Sequence, residues 1–152
     1  MPKYYKKKYY YPGSRDKYSV EQSIISGALT AGTTSVFQVV PPSDLQGMRK
    51  VKHLTINVCP HGPSFGFVWA LFYLPAGMTP PGFNTTSGSP LVEPNQFVMN
   101  CGTFDTDAGP LRIHSPISRN LNSGDQIVLL ARVVGSQSID FSGIVKYAIT
   151  LQ

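Results

Sequence analysis

The sequence predicts an all-β protein, a single eight-stranded antiparallel jelly-roll sandwich carrying a basic N-terminal arm. Three observations lead there. Glycine (14) and proline (13) are abundant while charged residues make up only 14 per cent, the balance expected of many short strands joined by tight turns. Beyond residue 17 the chain repeatedly alternates apolar and polar side chains, the period of half-buried strands, and no stretch holds a helical period. The net charge sits at one end. Of 13 basic and 8 acidic residues, six basic and one acidic fall within residues 1–17, so this arm carries the chain's whole formal net charge of +5 and residues 18–152 form a neutral body. A chain of 152 residues suits one domain and can bury about two-thirds of the surface its unfolded form exposes.

Taken in order, Tyr18 to Gly27 reads as a first strand, with Val20 and Ile24 on one side. Thr33 to Val40 is the second, stopped by Pro41-Pro42, because proline lacks the ladder donor. Arg49 to Cys59 alternates Leu54, Ile56 and Val58 with His53, Thr55 and Asn57, giving a core face and a polar face. Pro60-His61-Gly62-Pro63 turns the chain into Phe65 to Leu74, which is apolar on both faces, so its second face needs a cover from a loop or a neighbouring subunit. Pro75 to Pro94 is a long aperiodic connection, of the length that marks functional or contact loops. Four strands follow: Val98 to Phe104; Leu111 to Ser118, where Pro116 implies an edge or a bulge; the strongly apolar Gln126 to Val134; and Phe141 to Gln152. Eight antiparallel strands with one long connection suit a two-sheet jelly roll, and a closed barrel or an immunoglobulin-like sandwich fits the same pattern.

The arm carries the clearest functional signal. Lys3, Lys6, Lys7, Lys8, Arg15 and Lys17 repel one another and cannot enter an apolar core, so the segment needs a polyanion to settle on. Nucleic acid fits, because each ammonium that neutralises a phosphate releases counterions and binds without base specificity. Tyr4, Tyr5, Tyr9, Tyr10 and Tyr11 flank the lysine cluster, and aromatic faces stack on unpaired bases at roughly 1–3 kcal/mol each, which favours single strands over duplex. Arg49, Lys50 and Lys52 form a second, weaker candidate contact for the same polyanion. A solubilising tail or a contact with anionic lipid fits the same composition, and Lys6 to Lys8 matches the pattern of a short nuclear-import address, which could coexist with nucleic-acid binding.

Other chemistry is sparse. Cys59 and Cys101 are too few for a disulfide framework, and Cys59, His61, Cys101 and His114 match no standard zinc spacing. Asp105-Thr106-Asp107 is similar to an aspartic-protease loop but has Asp107 where glycine is required, so an Asx-type turn is expected. Phosphate-binding, nucleophile-elbow and dinucleotide motifs are missing, and neither an enzyme nor a bound cofactor or metal is expected. The amino terminus is too polar for a secretory segment and no apolar run reaches membrane-spanning length, so no membrane partner is expected.

Several stretches resemble the capsid proteins of circular, Rep-encoding single-stranded DNA (CRESS-DNA) viruses, the group that includes circovirus-like agents. They are Trp69-Ala70-Leu71-Phe72-Tyr73-Leu74-Pro75-Ala76-Gly77, then Glu93-Pro94-Asn95-Gln96, and above all Gly109-Pro110-Leu111-Arg112 with Ser115 to Leu130. The resemblance covers most of the body after Lys50. It implies a coat protein assembled into an icosahedral shell of 60 copies or a multiple, with the arm turned inward onto packaged single-stranded DNA. It also implies location in the virion, and in the host nucleus during assembly. The arm is shorter than those of such capsids and rich in lysine and tyrosine instead of arginine, and the residues themselves do not separate DNA from RNA. A free-standing single-strand-binding protein with a β-sandwich core is the alternative reading, and an oligomeric jelly-roll enzyme or lectin is a third.

Overall fold

A computed structural model of the chain describes residues 18–62, 64, 66–84, 92 and 96–151. The arm at 1–17 and its expected contacts lie outside the described residues, as does most of the second half of the long connection. The strands are β1 (Ser19–Leu29), β2 (Ser35–Val40), β3 (Arg49–His61), β4 (Gly66–Leu74), β5 (Val98–Asp105), β6 (Leu111–Ser115), β7 (Arg119–Leu121), β8 (Gln126–Val134) and β9 (Ile139–Leu151). They form two antiparallel sheets packed as a sandwich. One runs β1-β9-β3-β6, with β7 also on β3, and the other runs β2-β8-β4-β5.

The core lies between the sheets and follows the alternation of the sequence. Leu54, Ile56 and Val58 of β3 and Val145 of β9 face Phe67 and Leu71 of β4 and Ile127 and Leu129 of β8, all essentially without solvent contact. Phe37 of β2 meets Phe141 of β9 across the sandwich with ring centroids 4.7 Å apart, in the range of favourable tilted aromatic pairs. The second apolar face of β4 is covered from within the chain. Val68, Ala70, Phe72 and Leu74, with Val128 and Leu130 of β8, lie under Phe83 and Val92 of the long connection, with Phe97 and Val98 packed alongside.

Several expectations are corrected. The described strands number nine, not eight. The segment expected as one strand from Leu111 to Ser118 pairs with Leu54–Val58 only as far as Ser115, and the chain rejoins β3 at Arg119–Leu121, opposite Arg49–Val51. Pro116 has no amide hydrogen for the ladder, and the break falls where β3 itself bulges at His53, a residue with φ 55°. β3 runs on through Pro60 and His61 instead of turning there, because beyond Val58 it pairs with β9 alone and leaves one side open, where proline is tolerated. β1 continues to Leu29. Its core face is Ile25, Gly27 and Leu29, while Val20 and Ile24 share the outward face. Asp105 accepts from the Asp107 amide at the expected turn, but the turn tightens into a 3-10 helix, Thr106–Ala108, where no helix was foreseen.

One close approach depends on glycine. Gly102 of β5 lies directly opposite Trp69 of β4, and a β-carbon there would come 2.9 Å from the indole Cζ2. Replacing Gly102 with valine is therefore expected to destabilise the sandwich by about 1–3 kcal/mol through overpacking. Urea unfolding followed by the fluorescence of Trp69, the sole tryptophan, measures this, and an unchanged midpoint would show that the indole can move aside.

Candidate nucleic-acid interface

Pairing in the five-stranded sheet decides which cations reach a common surface. The inward positions of β3 are Arg49, Val51, Leu54, Ile56 and Val58, and the outward ones are Lys50, Lys52, Thr55, Asn57 and Cys59. On the outward face Lys50 lies opposite Thr150, Lys52 opposite Ala148, Thr55 opposite Lys146 and His114, and Asn57 opposite Ile144 and Arg112. Lys50, Lys52, Arg112 and Lys146 thus share one sheet face whose sole strand carboxylate among the described residues is Asp140, at the His61 end. Lys52 Nζ sits 4.8 Å from the centroid of the Tyr18 ring, a cation–π contact at the point where the arm joins the body. Tyr18, the first described residue, therefore stands beside this cationic face.

Arg49 takes another role. It is 8 % exposed, and its Nη2 donates to the carbonyl oxygens of Pro41 (3.2 Å) and Asp125 (3.1 Å). A guanidinium drawn inward and spent on these two carbonyls ties loops together, so of the three cations expected as a second contact only Lys50 and Lys52 stand on the outward face. Arg112 and Lys146 were missed in the sequence because each is an isolated cation in an alternating strand. The outward alternation of β9 could have flagged Lys146, but nothing local brings either residue beside Lys52.

The residue whose carbonyl receives Arg49 also carries a heavily bonded polar side chain. The buried Asp125 carboxylate accepts from the Tyr73 hydroxyl (2.7 Å), the Asn122 amide (2.8 Å) and the Ala76 amide (3.0 Å). Burial alone would raise its pKa, but hydrogen bonds from Tyr73 and from the Asn122 and Ala76 amides outweigh that and hold it below the ordinary aspartate value. Burial, then the hydrogen bond to Asp125 and its negative charge, push Tyr73 up to about 12. The Arg119 guanidinium lies 5.5 Å from the Tyr73 ring centroid and donates to the Gln96 carbonyl at 2.7 Å. The three hydrogen bonds on one buried carboxylate tie the end of β4, the start of the long connection and the turn after β7 together, so the cluster braces the fold.

The cysteines and histidines do not converge. Cys59 and Cys101 are free and lie on the outward faces of opposite sheets, His61 pairs with Ser142 (2.9 Å), and His114 with Thr55 (3.1 Å). Among the described residues no three His, Cys, Asp or Glu side chains are placed to hold a metal. Among the same residues no helix is long and apolar enough to cross a membrane. No protein-family model matches the chain, and no curated protein matches it.

Asp125 and Tyr73 each link stability to pH. The Asp125 contribution is full above the unfolded carboxyl pKa and disappears as pH falls through its depressed folded value. The Tyr73 contribution is full below 10 and is lost as pH rises from 10 to about 12. Thermal melts of the wild type should therefore fall at both extremes, and Tyr73→Phe should flatten the alkaline limb. Asp125→Ala should cost about 2–4 kcal/mol at neutral pH, since it strands the three donors to the carboxylate while leaving the carbonyl that Arg49 uses in place; a loss under about 0.5 kcal/mol, within the scatter of ordinary surface substitutions, would contradict the bracing role.

Proposed function

We propose that this chain is a viral coat protein whose sandwich tiles a closed shell and whose basic arm holds packaged single-stranded nucleic acid. The observation that carries the reading is the polarity of the sandwich. The +5 arm joins the body at the edge of a sheet whose outward face gathers four further cations, while the opposite sheet is roofed by the chain's own apolar loop. A tile with one cationic side, from which a cationic arm hangs, suits a surface that encloses a polyanion, and many copies side by side compensate for the small charge of each arm.

Strand order supports the jelly roll that such a reading calls for. With β7 taken as the continuation of β6, eight strands pair in nested fashion: first with last, β1 with β9, then β2 with β8, β3 with β6, and β4 with β5. A long antiparallel ribbon wrapped around a core gives this nesting, and the contacts β9 with β3 and β8 with β4 close the wrap into two sheets. The resemblance to CRESS-DNA virus capsids between Trp69 and Leu130 adds the choice of DNA, a shell of 60 copies or a multiple, and assembly in the host nucleus. In this reading the protein is structural and performs no catalysis.

Negative-stain microscopy of the purified chain, with the 260/280 nm absorbance ratio taken before and after nuclease, tests the proposal. Uniform closed particles with nuclease-protected nucleic acid are expected. Replacing Lys3, Lys6, Lys7 and Lys8 by alanine should abolish most of that protected material and leave the melting temperature unchanged. Small oligomers that bind single strands and never close would overturn the coat reading in favour of a free-standing single-strand-binding protein.

A further inference from the structure

Phe83 and Val92 roof the middle of the four-stranded sheet and leave Val36 and Val134 exposed at its margins, whereas on the five-stranded sheet no described loop covers the outward face and Val20, Ile24 and Ile144 stand 78 %, 76 % and 41 % exposed. Beside Ile24 and Ile144 the surface sinks into a hollow of about 280 Å³ whose walls include Val58, Cys59, Pro110 and Asn57. Small-molecule sites run from about 300 to 1,000 Å³, so this one takes a single ring-sized group.

The register gives the hollow a direction. Ile24, Ile144, Asn57 and Arg112 are successive cross-strand partners over β1, β9, β3 and β6, with about 4.8 Å between neighbouring strands. Lys146 stands two residues along β9 from Ile144, about 7 Å away on the same face, with Lys52 beyond it. An apolar floor thus grades into an amide and then into cations. A second copy of the chain set face to face would bring like charges together, which disfavours it as the occupant. A polyanion bearing flat apolar rings satisfies both halves of the surface.

We propose that this hollow is a nucleotide subsite for a single strand: one base lies against Ile24 and Ile144 with its edge at the Asn57 amide, and the flanking phosphates meet Arg112 and Lys146. The amide offers both a donor and an acceptor, so the subsite accepts different bases without strict sequence preference. This inference rests on the nucleic-acid-binding reading and extends it from the arm to the folded body.

The two cysteines provide the test, since both are exposed and only Cys59 borders the hollow while Cys101 faces outward on the opposite sheet. Full-length protein stripped of nucleic acid is mixed with a short oligothymidine, binding is followed by fluorescence anisotropy, and alkylation of each cysteine by N-ethylmaleimide is followed by peptide mass spectrometry. Bound oligonucleotide should slow Cys59 severalfold and leave Cys101 unchanged. The double variant Arg112→Ala, Lys146→Ala should reduce the slope of log affinity against log salt by roughly 1.4, about 0.7 for each lost single-strand phosphate contact, with an unaltered melting temperature. Oligonucleotide that binds while Cys59 reacts at its free rate overturns the subsite and leaves the arm as the binding element. Equal slowing of both cysteines also overturns it, since burial between copies then explains the protection. Failure of the wild-type chain to bind any oligonucleotide removes the nucleic-acid reading itself.

Discussion

A single ionised carboxylate governs one end of the sandwich. Asp125 stands at the start of β8, and its side chain collects the hydroxyl at the end of β4, the amide at the start of the long connection and the amide after β7, while its carbonyl receives Arg49 from the start of β3. Arg49 also holds Pro41, and the Gly124 amide and Ser123 hydroxyl donate to the Ser43 carbonyl, so the connection between β2 and β3 is tied to the same knot. Burying a carboxylate is costly unless its oxygens are well supplied with donors. Here three donors converge on it, and a chain that left any of these loops elsewhere would strand the charge. The close approach at Gly124, where a β-carbon would sit 2.8 Å from the Ala76 side chain, shows how tightly the two loops are drawn together.

That knot has a consequence for the candidate interface. With Arg49 committed to loop carbonyls, the strand that carries it is clamped at its first residue, and the alternation that follows sets Lys50 and Lys52 outward in a defined position. The bulge at His53 then adds a residue between Lys52 and Thr55, which keeps Leu54, Ile56 and Val58 in the core while returning Thr55 and Asn57 to the outward face. Packing at one end thereby determines which residues the cationic face can display farther along.

The outward faces divide labour between apolar and charged surface. Covering the four-stranded sheet with Phe83 and Val92 removes from water Val68, Ala70, Phe72 and Leu74 of β4 and Val128 and Leu130 of β8. The five-stranded sheet, left open among the described residues, presents isolated aliphatic side chains set among cations. This asymmetry gives the body one side roofed by its own loop and one open, cationic side.

Local alternation was enough to place most strands of the body, because an apolar residue at every second position identifies a half-buried strand without knowledge of its partner, but the break after Ser115 and the run of β3 through Pro60 depend on which strands lie alongside. The basic arm was equally legible, since charge is additive along the chain. Arg49 was not, because its cationic side chain looks like surface until the loops that supply its two carbonyls are in place. Nor were the cationic row and the hollow: Arg112, Lys146, Asn57 and Ile24 come from four strands far apart in sequence, and which residue lies opposite which depends on register. Charge and alternation along the chain thus identify a β-sandwich body with a cationic arm. Which cations share a face and which one is buried emerges from strand pairing and the bulge at His53, because both depend on the fit of the whole core.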